Sequence, residues 1–75
     1  MIYNRLAVLR TERGISRQEL AQQLGVNYQT IGFIERGDYS PSLELVFKIA
    51  NYFKVDITAI FSDNPFPSLF NKQEK

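Results

Sequence analysis

Few side chains in this sequence could do chemistry on their own. Among its 75 residues there is no Cys and no His, so thiolate nucleophiles, disulfides, imidazole bases and the commonest zinc ligands are all missing. No Gly-rich phosphate loop and no carboxylate pair at a useful spacing is present, so no enzyme, no metal and no cofactor is expected. What remains is recognition chemistry, gathered in the stretch GVNYQTIGFIERG from Gly25 to Gly37. Gln29 offers an amide that donates and accepts at once. Tyr28 and Phe33 offer flat apolar faces, and Arg36 is the one cation on the same segment.

Those groups must be held by helices. Leu6, Leu9 and Arg10 in NRLAVLRTER follow a spacing of three to four, with Asn4 as N-cap and Gly14 as stop. SRQE, Ser16 to Glu19, is a capping box that starts a second helix at Arg17. Leu20, Ala21 and Leu24 form its apolar stripe, and Gly25 ends it in a left-handed conformation. After the short turn GVN, Asn27 caps a third helix. Projecting its residues at about 100° each puts Ile31 and Ile34 on one side and Gln29, Gly32, Phe33 and Arg36 on the other, with Tyr28 at the edge. Glu35 falls beside the core stripe. Ser42 caps a fourth helix whose stripe is Leu43, Val46, Ile49, Ala50 and Phe53, while Leu45, Phe47 and Tyr52 extend the core or form a dimer surface. Asp56 caps a short fifth helix, ITAIF.

The second helix, the glycine turn and the third helix have the proportions of a helix-turn-helix, in which the start of the second member enters a major groove. A glutamine amide can pair with adenine N6 and N7 together, and Tyr28 and Phe33 can meet thymine methyls. Gly32 would let the backbone approach the bases closely. For Phe33 a contact with another protein is an equal alternative. Nine Lys+Arg against eight Asp+Glu leave a net charge of +1, too balanced to argue for nucleic acid from bulk charge.

The stretch from Ser16 to Phe61 resembles the Xre/Cro family of phage-repressor-like helix-turn-helix regulators. It meets the family pattern at Ser16, Glu19, Leu20, Ala21, Leu24, Gly25, Val26, Thr30, Ile31, Ile34, Glu35, Gly37, Pro41, Ser42 and Leu43. The resemblance implies an all-α, five-helix, lambda-repressor-like domain over residues 1–61, with the helix-turn-helix at about 17–36 and a C-terminal extension at 62–75. In the shortest members a small β-ribbon joins the chain ends, and MIY and part of FSDNPFPSLF could supply it. The family also implies homodimers that bind palindromic operators on double-stranded DNA and act as repressors, and a structural ion pair between Arg10 and Glu35. Base contacts carry over to Tyr28, Gln29, Gly32 and Phe33, and phosphate contacts to Arg17, Gln18, Asn27, Thr30, Arg36, Tyr39 and Ser40. Tyr28, Phe33 and the acidic Asp38 depart from the family's usual residues, so base preference is not inherited. With so few cations the salt slope should correspond to about four to eight counterions per dimer.

Ile57, Ile60, Phe61, Phe66, Leu69 and Phe70 exceed what one small core should hide. The fifth helix and tail are therefore expected to form the dimer contact, with an intramolecular wrap as the alternative. A second functional reading is a protein-interaction or antitoxin-like module of weak DNA affinity, motivated by Asp38, the near-neutral charge and the outward aromatics. No sensing domain fits the length, so no small-molecule effector is expected. No apolar run suits a signal peptide or a membrane span, which points to the cytoplasm.

Overall fold

Helices begin in this chain where a short polar side chain meets an apolar stripe. The Ser16 hydroxyl accepts from the Glu19 amide at 3.0 Å while the Glu19 carboxylate accepts from the Ser16 amide at 3.1 Å, closing the reciprocal box. The Asn27 side chain accepts from the Gln29 amide at 2.8 Å, and the Ser42 hydroxyl from the Leu45 amide at 3.1 Å. The computed structural model describes residues 2–66. Along it run β1 (Tyr3–Asn4), α1 (Leu6–Glu12), α2 (Arg17–Leu24), α3 (Tyr28–Glu35), α4 (Leu43–Phe53), a single 3-10 turn (Ile57–Ala59) and β2 (Phe61–Ser62). Gly25 ends α2 with φ 75°, in the left-handed region that a side chain disfavours.

The core collects one face from every helix. Leu6, Leu20, Ala21, Leu24, Ile31, Ile34, Leu45, Ile49, Ala50, Phe53, Ile60 and Phe61 are buried together. On α4 the stripe is rotated from the expected one: Leu43 is 70% exposed and Leu45 is buried. Leu45, two residues on, takes the inward position in the first turn of α4. Cations from other helices cover two helix ends. Arg13 Nη2 donates to the Phe53 carbonyl at 2.9 Å and Lys48 Nζ to the Leu24 carbonyl at 3.3 Å, each meeting the negative end of a helix dipole.

Two expectations from sequence are corrected here. The fifth helix is only the three-residue turn Ile57–Ala59, and Asp56, at its cap position, makes no side-chain capping bond. The dimer assignment of Ile60 and Phe61 also fails, because Ile60 is fully buried and Phe61 is 8% exposed within the single chain. The cause is the ribbon: β1 pairs antiparallel with β2, Tyr3 opposite Ser62 and Asn4 opposite Phe61, and the Arg5 amide donates to the Ile60 carbonyl at 2.9 Å. That pairing folds the segment back over the core, which is the intramolecular wrap. Ile57 packs against the same core, and Phe66 is half-buried with the Arg5 guanidinium 4.2 Å above its ring. Leu69 and Phe70 lie outside the described residues.

Asn4 helps position α3. Its Oδ1 accepts from the Leu6 amide at 3.1 Å, so it caps α1 from one residue outside the cap position, which Arg5 occupies. Its Nδ2 donates to the Ile34 carbonyl at 2.8 Å and so holds the last turn of α3. The Arg10–Glu35 pair is present: Arg10 Nε lies 2.7 Å from Glu35 Oε2, with the two side chains 17% and 2% exposed. Arg17 Nε reaches the other oxygen of the same carboxylate at 2.9 Å.

Two stability predictions follow from this burial. Glu35→Gln should lower unfolding stability by about 3 kcal/mol, because it strands Arg10 in a mostly dry site, whereas Arg17→Gln should cost less than about 1 kcal/mol because that partner faces water. Chemical denaturation giving equal losses would contradict the assignment. Ile60→Ala should cost about 2–5 kcal/mol by opening a cavity. If Ile60 belongs to the single-chain core, the shift in Tm stays the same across protein concentrations, and a concentration-dependent shift would return it to a dimer contact.

Candidate nucleic-acid interface

Helix α3 is amphipathic in a way that divides structure from recognition. Ile31 and Ile34 are buried and fix it to the core, while Tyr28 is 48% exposed and Phe33 44%. Gln29 and Arg36 are also exposed on this side. The cap that starts the helix sits beside the same face, since the Asn27 side chain is occupied by the Gln29 amide. Gln29 therefore projects from the first turn of a helix whose start is fixed by its own neighbour.

The residues assigned from sequence fall into three groups. Arg17, Tyr28, Gln29, Phe33 and Arg36 line one depression of about 210 Å³, which joins three base-contact assignments to two phosphate assignments. Gln18, Asn27 and Tyr28 line a neighbouring open groove of about 440 Å³ with Ala21, Gln22 and Val26. Gln22 was not singled out from sequence; its position four residues after Gln18 on one helix face is the signal that could have found it. Tyr39 and Ser40 stand apart, around a small recess of about 20 Å³ with Ile2, Asn4, Ile34, Gly37, Pro41 and Phe61. Thr30 is half-buried and lines none of these.

Gly32 departs from its expected role. Its backbone is not bare toward the outside: a Cβ built there would meet Arg36 Nη1 at 3.3 Å and Arg17 Nη1 at 3.6 Å, so two guanidinia cover the site meant for close approach. Arg36 is further engaged with Asp38, Nε to Oδ2 at 3.2 Å, and its guanidinium carbon lies 5.2 Å from the Phe33 ring centroid. The Arg17–Glu35 contact was likewise not legible in advance, because the partners are 18 residues apart and belong to different helices.

The surface offers hydrogen-bonding amides, aromatic faces and two guanidinia. Among the described residues no group of carboxylates could hold a metal ion, and no helix is long and apolar enough to cross a membrane.

Known proteins share this organisation. The helix-turn-helix family model matches residues 6–60, spanning α1 to the 3-10 turn. An uncharacterised HTH-type transcriptional regulator of Methanocaldococcus jannaschii is 48% identical over 58 residues, covering 77% of this chain and 88% of the relative. The cryptic phage CTXphi transcriptional repressor RstR of Vibrio cholerae is 36% identical over 64 residues, 85% of this chain and 58% of that protein. Among solved structures, the restriction-modification controller protein C.AhdI of Aeromonas hydrophila superposes with a TM-score of 0.67 at 31% identity, covering 72% of this chain and 82% of that one. With the capping box, the glycine turn and the outward face of α3 in place, this chain belongs to the Xre/Cro-type helix-turn-helix family of DNA-binding transcriptional regulators.

Proposed function

We propose that two copies of this chain bind a palindromic operator, each laying α3 in the major groove of one half-site, and that the complex represses transcription without any catalytic step. The observation that carries this reading is the outward row Tyr28, Gln29 and Phe33 on a helix anchored by Ile31 and Ile34. In such a docking Gln29, on the first turn, reads adenine through its amide, and the two aromatics meet thymine methyls. Gln18, Gln22 and Asn27 face the backbone on one side of the groove, and Tyr39 and Ser40 face it from the loop after α3. The likeness to a named phage repressor supports the sign of regulation.

The dimer contact belongs on α4 in this reading, since Ile60 and Phe61 are used within the chain. Leu43 and Phe47 are 70% and 50% exposed on that helix, and Phe47 borders a depression lined by Ala50, Val55 and Ile57. A second copy related by a twofold axis would cover the same patch on both sides, as two half-sites require. The interaction-module reading keeps one support of its own: Asp38 sets a carboxylate beside Arg36, which opposes phosphate.

Selection from a random duplex pool at low salt should recover an inverted repeat with half-sites about one helical turn apart, and Gln29→Ala should lose about 1–3 kcal/mol of discrimination at one position of each half-site. No enrichment would favour the interaction module. Sedimentation should show the native chain as a dimer at high micromolar concentration and Phe47→Glu as a folded monomer. A native monomer, or a Phe47→Glu dimer, would remove α4 as the contact.

A further inference from the structure

Gly32 lies inside α3, where glycine destabilises a helix relative to alanine. Gly14, Gly25 and Gly37 adopt positive φ values, but Gly32 does not, so backbone conformation gives no reason for it. Its neighbours do. An added Cβ would meet Arg36 Nη1 at 3.3 Å, Arg17 Nη1 at 3.6 Å and Arg17 Cζ at 3.7 Å. The missing methyl makes a shelf on which two guanidinia converge. Both Nη1 atoms lie close enough to one point for a single phosphate, with contacts of about 2.7–2.9 Å, to accept from each.

In the free protein both arginines are held through Nε by carboxylates, and the two holders differ. Arg17 is tied to Glu35, whose side chain is 2% exposed and also binds Arg10, so this anchor is fixed. Arg36 is tied to Asp38 at 3.2 Å, with side chains 51% and 60% exposed. A contact in water between two mobile side chains exchanges readily. The acid sits only two residues beyond the arginine, so it stays near the shelf after release.

We propose that Asp38 is an internal stand-in for a DNA phosphate: it occupies the Arg36 arm of a two-arginine seat above Gly32 and must be displaced when DNA docks. This rests on the reading of α3 as a DNA-facing helix and adds a built-in competitor to it. Because phosphate contacts carry no sequence information, the competitor weakens binding to every duplex alike. It therefore lowers cognate and non-cognate affinity by the same factor and leaves the ratio between them to the base contacts.

Binding of a random-sequence duplex, and of the operator recovered by selection, should be measured across a salt series for the native chain, Asp38→Asn, Arg36→Gln and the double variant. Asp38→Asn should tighten binding to both duplexes by about two- to fivefold and steepen the salt dependence. In the Arg36→Gln background the same change should have little effect. A gain of equal size in both backgrounds marks a general field effect and overturns the stand-in, as does no gain in the native background. Gly32→Ala should raise Tm by about 2–8 °C while weakening binding. A lowered Tm or unchanged affinity overturns the shelf. Should neither the native chain nor any variant bind duplex at low salt, the DNA-reading function falls and the competitor with it; native binding that is indifferent to Asp38→Asn removes the competitor alone.

Discussion

One carboxylate holds three helices in register. Glu35 ends α3, and its two oxygens are taken by Arg10 from α1 and Arg17 from the first position of α2. Arg10 also donates to the Ile15 carbonyl at 3.0 Å, so the turn between α1 and α2 is tied to the same point. A buried ion pair is poor evidence for net stability, since desolvation offsets most of its attraction. Its value here is geometric. Apolar contacts between Ile31, Ile34 and their neighbours tolerate sliding, whereas a guanidinium fork meets a carboxylate in few orientations. The tilt at which α3 presents Gln29 is therefore set by a polar lock placed on a greasy joint.

The same lock explains the economy of charge. The chain has nine Lys+Arg, and several are spent on the fold: Arg10 on Glu35, Arg13 on the Phe53 carbonyl, Lys48 on the Leu24 carbonyl and Arg5 above Phe66. At the candidate interface Arg17 and Arg36 remain, and each is already paired with a carboxylate. A reading helix in such a protein must rely on short-range complementarity, and Tyr28 and Phe33 supply it through contact area rather than field.

Local rules carried most of the fold from sequence alone. Ser16, Asn27 and Ser42 cap the helices they were expected to cap, because capping depends on residues two or three apart. Ile31 and Ile34 fall inside and Phe33 outside because a helix wheel needs no tertiary knowledge. Readings that needed distant partners fared worse. Leu43 falls outside and Leu45 inside, because the face of α4 that meets the core is set by the helices packed against it and not by the wheel alone. Ile60 and Phe61 looked like surplus apolar area because the ribbon that covers them closes through residues 3 and 4 at the far end of the chain. At the candidate interface, side-chain types were legible from sequence, but the convergence of Arg17 and Arg36 over Gly32 was not, since it depends on how α2 crosses α3.

That ribbon has a consequence for the order in which the molecule can be made. Tyr3 and Asn4 emerge from a ribosome before the four helices, and their partners Phe61 and Ser62 emerge only after them. Closing a loop of that span is the most entropically demanding contact in the described chain. The helices can therefore dock while β1 is still single, and Asn4, whose amide steadies the Ile34 carbonyl, is itself pinned only when β2 arrives. During its own translation the protein can therefore hold its reading helix through Glu35 alone, and the Asn4 contact to the last turn of that helix is backed by the ribbon only once β2 has been made.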